Sequence, residues 1–242
     1  MSNLTVDRAL QMAVEHHQAG RLAEAETLYR DVIRQQPRHA HAIHLLGVLT
    51  YQKGHLDQAV ELIHKAIAID PREPDFYSNL STVLRAQGRH DLAIGALRYV
   101  VELQRGHPEA QIRLADVLVE AGQFDEAIRL YTVALDALPQ HAMGWNNLGY
   151  CLHQRGRPDE AIAALSRALT LQPEFPEALN NLGNAFFDRA EHGQAIAAYR
   201  KAVDLRPDCA EALCNLAAAL KATGKPDESV ATLRRAVSLR PD

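Results

Sequence analysis

The stretch AMGWNNLGYCLHQRGRPDEAIAALSRALTLQPEF, residues 142–175, decides the fold of this 242-residue chain. Its first half places Trp145, Leu148, Cys151 and Leu152 at helical spacing, with small Gly149 directly after Leu148. Gly156 follows, a residue that takes positive φ and so ends a helix without steric cost. Pro158-Asp159 then opens a second helix. Proline has no amide hydrogen to lose in a first turn, and a carboxylate suits the positive end of the helix dipole. Ala161, Leu165, Ala168 and Leu169 form the apolar stripe of this helix, and Pro173 stops it. The pattern predicts a helix, a tight turn and an antiparallel helix.

The same unit recurs along the chain. Pro37, Pro71, Pro139, Pro173, Pro207 and Pro241 keep a 34-residue step, missed only at Arg105. Gly20, Gly54, Gly88, Gly122, Gly156 and Gly224 keep it too, with Ala190 in the gap. Ala25, Ala59, Ala93, Ala127, Ala161 and Ala195 do likewise, and Ser229 continues them. Three residue types in phase mean an array of one supersecondary unit. Counted from Val6, the copies are residues 6–39, 40–73, 74–107, 108–141, 142–175, 176–209 and 210–242, read as a single array over 1–242. Position 8 of each copy is small (Ala13, Gly47, Ser81, Ala115, Gly149, Gly183, Ala217), and position 24 is large (Tyr29, Ile63, Leu97, Tyr131, Leu165, Tyr199, Leu233). Small residues let two helix axes approach closely while the large ones fill the space around them. A lone helix pair cannot bury both apolar faces, so stacking on the next copy supplies the core.

These signatures (small at positions 8 and 20, large at 24, proline at 32) resemble the tetratricopeptide repeat, over residues 6–242. The resemblance implies an all-α, right-handed superhelical solenoid of seven 34-residue helix-turn-helix repeats, whose first helices line a concave groove. The third copy departs most: Arg105-Gly106 replaces the proline, and His90 sits where an apolar residue is usual. Its register is expected to survive because Leu80, Gly88, Ala93 and Leu97 are in place.

Composition excludes several function classes. The net charge of −4, with acids and bases interspersed, lacks the clustered basic face of a nucleic-acid binder. No apolar run reaches the ~20 residues that span a bilayer. The N-terminal segment MSNLTVDRALQMAVEHH has acids early and no signal-peptide core. Cys151, Cys209 and Cys214 are odd in number without CxxC spacing, which suits a reducing compartment, so the cytoplasm is the expected location. His39, His41 and His44 lack a neighbouring cysteine and a third ligand on their face, so no metal is expected. No nucleophile lies beside a histidine and an acid, and no glycine-rich phosphate loop precedes a helix. The reading is a non-catalytic chain without a cofactor.

The family resemblance implies that the groove is lined mainly from positions 2, 5, 6, 9, 12 and 13 of the first helices. Position 6 reads Gln11, Leu45, Asn79, Arg113, Asn147, Asn181 and Asn215. An amide offers a donor and an acceptor together, which matches a peptide backbone. Asparagine is a poor helix-interior residue, so its recurrence has a local reason. Two roles are open to the ladder: gripping a partner's backbone, or bonding neighbouring turns of its own array. Asn146, Tyr150, Asn180, Asn184 and Phe187 surround it, giving an amide-rich C-terminal half with two aromatic platforms. The N-terminal half, with His41, His44, Val48 and Tyr51 beside Leu10, Val14 and Leu45, is more apolar and suits a helix or a hydrophobic anchor. The family's carboxylate clamp needs lysines near such asparagines; positions 2 and 5 here carry Asp75, Glu109, Glu177 and Glu211, and Arg113 is the lone fragment.

The expected function is therefore a scaffold that holds a protein or peptide segment in its concave groove. A rival reading rests on HAIHLLGVLTYQKGHLDQAVELIHKAIAIDP and the NNLG, SNL and CNL asparagines, which look like the repeat arms of O-linked N-acetylglucosamine transferases. A third is self-assembly. In the last copy nothing follows ESVATLRRAVSLRP to cover Val230, Leu233, Ala236 or Val237, so the chain is expected to continue beyond Asp242 or to associate through that face, unless Arg234, Arg235 and Arg240 fold their stems over it.

Overall fold

A computed structural model describes residues 5–239; Arg240, Pro241 and Asp242, which the proline series and the C-terminal expectation touch, lie outside the described residues. The described chain is built from α-helices in pairs. The first helices are α1 (Val6–Gln18), α3 (Ala40–Gln52), α5 (Pro74–Ala86), α7 (Pro108–Glu120), α9 (Ala142–Gln154), α11 (Pro176–Asp188) and α13 (Ala210–Ala222). The second helices are α2 (Leu22–Gln35), α4 (Leu56–Ile69), α6 (His90–Leu103), α8 (Phe124–Ala137), α10 (Pro158–Leu171), α12 (His192–Leu205) and α14 (Pro226–Leu239). Starts recur every 34 residues, and the third pair keeps its register although Arg105-Gly106 stands where proline is usual.

Contacts group the chain into two compact units, residues 1–110 and 111–242. In the first, α1 packs on α2, α3 on α4 and α5 on α6, and neighbouring pairs meet through α2 with α3 and α4 with α5. In the second, α9 packs on α10, α11 on α12 and α13 on α14, with α8 against α9, α10 against α11 and α12 against α13. Each unit is thus a stack of helix pairs in which a second helix supports the first helix that follows it.

One turn joins the two helices of every pair. Gly20 donates to His17 O and Arg21 to His16 O, so the last orphan carbonyls of α1 are satisfied by a Schellman closure. The same two bonds close the turns at Gly54, Gly88, Gly122, Gly156, Ala190 and Gly224. A Cβ added at Gly156 would meet nothing within 4 Å, so glycine serves this turn through its dihedral alone, at φ +69°. Ala190 adopts φ +60° with a side chain attached. The turn is therefore imposed by the packed helices around it, and alanine bears the strain.

Position 8 needs small residues for the opposite reason, space. A Cβ on Gly149 would lie 2.5 Å from Leu165 Cγ, and one on Gly47 would lie 2.9 Å from Ile63 Cγ1. On Gly183 it would run into the ring of Tyr199. The large residues so received, Tyr29, Ile63, Tyr131, Leu165 and Tyr199, are all buried.

The last helix corrects one expectation. Ala236 is buried against the core with Ser229, whose Oγ donates to Ala217 O at 2.8 Å, whereas Val230, Leu233 and Val237 are exposed. Ala236 sits on the α13 side of the helix, and only the other three form the open stripe.

Ala190→Gly should relieve the left-handed strain and raise stability by roughly 0.5–1 kcal/mol, while Gly156→Ala should lower it by about as much. Urea denaturation of the two variants gives shifts of opposite sign if the turn is read correctly.

Candidate functional site

In the second unit the core itself sets up a polar network. Tyr131 and Tyr199 lie under small residues of their partner helices, and a buried hydroxyl needs an acceptor. Tyr131 finds Asp116 Oδ1, and Tyr199 donates to Asn184 Oδ1 at 2.7 Å. Burial first, and then the Asp116 charge, hold the Tyr131 hydroxyl firmly protonated, and burial does the same for Tyr199. Each acceptor then takes a second donor from the following copy: Asn147 Nδ2 to Asp116 Oδ1 at 3.0 Å, and Asn215 Nδ2 to Asn184 Oδ1 at 3.1 Å.

The remaining amides continue between copies. Asn181 Nδ2 donates to Asn146 Oδ1 and Asn215 Nδ2 to Asn180 Oδ1, both at 3.0 Å and both across 35 residues. Asn146 donates to Asn147 Oδ1, and Asn180 donates to Glu211 Oε1. Asn146 and Asn180 are buried, while Asn147, Asn181 and Asn215 are half-buried. Asn79, Asn147, Asn181 and Asn215 thus each bond to the preceding copy, and each spends a donor within the protein. The Cys151 thiol beside it is pushed up to about 12, by burial and then by Asp116, and stays a neutral core group.

Five of the expected residues, Asn146, Asn147, Tyr150, Asn180 and Asn181, meet in one cavity of about 380 Å³. Its other walls are Pro176, Glu177, Ala202, Arg206, Cys209 and Glu211, so α9, α11, α12, α13 and the loop before α13 all contribute. Tyr150 presents its ring there and meets the Phe124 ring edge-on, at 6.1 Å between centroids. Arg206 Nη2 pairs with Glu177 Oε1 at 2.6 Å, which leaves Glu211 as the cavity's surplus charge. Arg206 escaped the sequence reading, although it is the first basic residue at a place held earlier by Gln36, Asp70, Gln104, Leu138 and Gln172.

The other expected residues are placed differently. Asn184 and Asn215 serve the network and do not line the cavity. Phe187 turns to its own pair's junction and packs on the His192 ring at 4.9 Å. Arg113 is exposed on α7. In the first unit His44 is 5 % exposed, and its ring lies 4.5 Å from that of Phe76. It is a core residue and not groove lining. Its Nε2 accepts from Asn79 Nδ2 at 2.9 Å, which requires the neutral ring with its hydrogen on Nδ1. His41 is exposed beside Phe76, and Val48 and Tyr51 are half-buried. At the first junction the equivalent rung is apolar, with Leu10 and Leu45 packed on one cluster. A recess of about 700 Å³ at Gly54, His55, Asp57, Gln87 and Arg89 is walled by largely exposed turn residues, among which Gln87 Nε2 donates to Asp57 Oδ1 at 2.7 Å and Arg89 Nη1 to Gln87 Oε1 at 3.3 Å.

Among the described residues no three histidine, cysteine, aspartate or glutamate side chains converge as a metal site, and no helix is long and apolar enough to cross a membrane.

The family described as Cilia and flagella-associated protein 70 C-terminal domain matches residues 72–242, and the Tetratricopeptide repeat family matches residues 16–81. The chain belongs to the tetratricopeptide repeat proteins. PilW, a type IV pilus biogenesis factor, is 19% identical with a TM-score of 0.74, covering 84% of this chain and 94% of its own. Pseudomonas aeruginosa pilF is 22% identical with a TM-score of 0.69, covering 84% and 92%. YrrB, a TPR protein with an unusual peptide-binding site, is 20% identical with a TM-score of 0.66, covering 76% and 95%. These likenesses establish the fold. No curated protein matches the chain in sequence.

Two predictions follow from the bonds. Asn181→Ala should destabilise by about 1 kcal/mol and Asn215→Ala, which loses two acceptors, by about 1–2 kcal/mol. An amide that merely faced water would give the opposite sign, since alanine is the better helix former. Denaturation midpoints decide between them.

Burial holds the His44 pKa down to about 4, against an ordinary 6.5, with nearby His41 adding a little and Asp75 opposing. A depressed histidine contributes stability that is complete above its unfolded pKa and is lost as pH falls through 6.5 toward the folded value. Denaturation midpoints should therefore drop between about pH 7 and pH 4.5 in the wild type and drop less in His44→Gln, which keeps an acceptor for Asn79 and does not titrate.

Proposed function

We propose that the chain is a non-catalytic protein-interaction scaffold that takes an extended peptide segment of a partner in the amide-lined cavity of its second unit. The observation that carries this reading is the convergence of Asn146, Asn147, Tyr150, Asn180 and Asn181 around about 380 Å³ of open volume. A carboxamide has two N–H donors and an oxygen with two lone pairs, so an amide with one donor engaged still has capacity for a backbone group. The oxygen of Asn181 accepts no hydrogen bond among the described residues, and this amide lines the cavity. Tyr150 supplies a rigid ring with little rotamer entropy to lose, the kind of anchor that peptide surfaces favour. YrrB supports the reading as a protein of the same fold with a peptide-binding site.

The charges select against one ligand class. Glu177 and Glu211 face the cavity, Arg206 is occupied by Glu177, and no lysine lines it. An acidic peptide terminus would meet net negative charge there, so the segment bound is neutral or basic.

Peptides selected from a displayed random library on the wild-type chain should lose at least about tenfold in affinity, some 1.4 kcal/mol, on Tyr150→Ala, with helicity unchanged. Peptides that bind Tyr150→Ala as well as the wild type would refute this site. Selected sequences rich in acidic residues would refute its charge preference.

A further inference from the structure

At three junctions between copies the chain plugs its own seam. Tyr77 and Tyr99, whose ring centroids lie 4.5 Å apart, both donate to Pro71 O, at 3.1 and 3.3 Å. Trp145 Nε1 donates to Pro139 O at 3.1 Å, and Arg235 Nη2 donates to Pro207 O at 2.8 Å. The plugs come from two places in the repeat: position 4 of a first helix (Tyr77, Trp145) and position 26, on the second helix after it (Tyr99, Arg235). Each gives the carbonyl of the inter-copy proline a donor.

Two junctions carry no such plug. At Pro37 the residues at positions 4 and 26 are Ile43 and Lys65, and at Pro173 they are Leu179 and Lys201. A groove is open at each. One of about 540 Å³ lies among Ile33, Pro37, Ile43, Leu46 and Leu62, and one of about 380 Å³ among Leu169, Pro173, Leu179, Leu182 and Phe186. Neither proline carbonyl accepts a hydrogen bond among the described residues. The Pro173 groove sits between the fifth and sixth copies, inside a stack, so the opening follows from the residues at positions 4 and 26.

The chain's own plugs show what fills such a seam: a flat ring on the apolar floor, with a donor on its edge for the carbonyl. At Pro139 a single aromatic side chain does this, and it is Trp145. Indole suits the task because it is a large apolar body with one N–H that needs an acceptor when buried. The Pro37 groove adds a charge preference. Arg30, Arg34 and Lys65 stand around it, and no acid lines it. Arg30 and Arg34 hold Glu26 and Asp31 of their own helix at exposed sites, where such pairs are weak, and Lys65 has no ion-pair partner among the described residues. We propose that the Pro37 groove receives one tryptophan of an acidic segment of a partner protein, its indole N–H donating to Pro37 O and its flanking carboxylates meeting Lys65 and the two arginines. This preference is opposite in charge to that of the amide-lined cavity, so the two sites take different segments.

Fluorescence anisotropy with the whole chain and a labelled seven-residue peptide, one tryptophan between glutamates, tests this. The wild type should bind it saturably. Alanine in place of the peptide's tryptophan should cost at least about tenfold in affinity, since a buried aromatic anchor carries much of such a contact. Naphthylalanine, which keeps the ring and lacks the N–H, should cost about fivefold, and lysines in place of the glutamates about tenfold. Ile43→Trp rebuilds the plug of Trp145 and should weaken binding at least about tenfold without touching a charge. Lys65→Tyr rebuilds that of Tyr99 at an exposed site, where folding is not at risk, and should do the same. Both changes lie in the first unit, so their outcome bears on this groove and leaves the amide-lined cavity intact. No binding by the wild type, equal binding of the alanine, naphthylalanine or lysine peptide, or wild-type affinity in the Lys65→Tyr chain would overturn the proposal.

Discussion

Each helix pair depends on a steric fit, a first-helix residue no larger than alanine or serine beneath a large second-helix residue. Where the small partner is glycine, as at Gly47, Gly149 and Gly183, not even a methyl group fits without displacing Ile63, Leu165 or Tyr199. Dispersion and burial reward that closeness, and the large residue fills the volume between the two axes. The turn geometry is subordinate to it. Packing holds the closure at Ala190 in the left-handed region with no glycine to ease it, so the helices dictate the turn.

Two rungs of the polar ladder are a consequence of the same fit. When the large residue is tyrosine, its hydroxyl is carried into the interior and must be given an acceptor. Asp116 serves Tyr131, Asn184 serves Tyr199, and in the first pair His17 Nδ1 lies 3.1 Å from the Tyr29 hydroxyl. In the second unit those acceptors have capacity for one more donor, and the asparagine of the next copy supplies it. At these two junctions the network therefore ties three helices: the one that bears the tyrosine, the one that accepts, and the one that follows. Where position 24 is Ile63, no hydroxyl arises, and Val48 stands where the acceptor would be.

Function is read from what this network leaves over. A cavity lined by amides that are each partly engaged is more rigid than a free polar surface, and a preorganised site loses less entropy when it binds. The Arg206–Glu177 pair removes the one cation that would have welcomed an acidic ligand, and Glu211 sets the sign of what remains. The open stripe on α14 is a separate matter. Its Leu233 is exposed at a place where the six earlier copies bury Tyr29, Ile63, Leu97, Tyr131, Leu165 and Tyr199.

The sequence by itself determined the helix pairs and the residues that bear their fit. A helix and its stop are local, so Gly156, Pro158 and the spacing of Leu148 with Cys151 were enough. The amide-rich character of the site was legible for the same reason, because its residues recur at one position of each copy. What only the tertiary structure decided is the partner of each polar group. Whether Asn181 points to a ligand or to Asn146, and whether Phe187 faces the cavity or His192, depends on groups on other helices or across a turn. So does the meeting of Arg206 with Glu177, and the burial of His44 under Phe76 with Asn79 on its ring. Helical periodicity says which face a side chain lies on, but the distance and azimuth between stacked helices say what it touches, and those are set by how small and large residues mesh between copies.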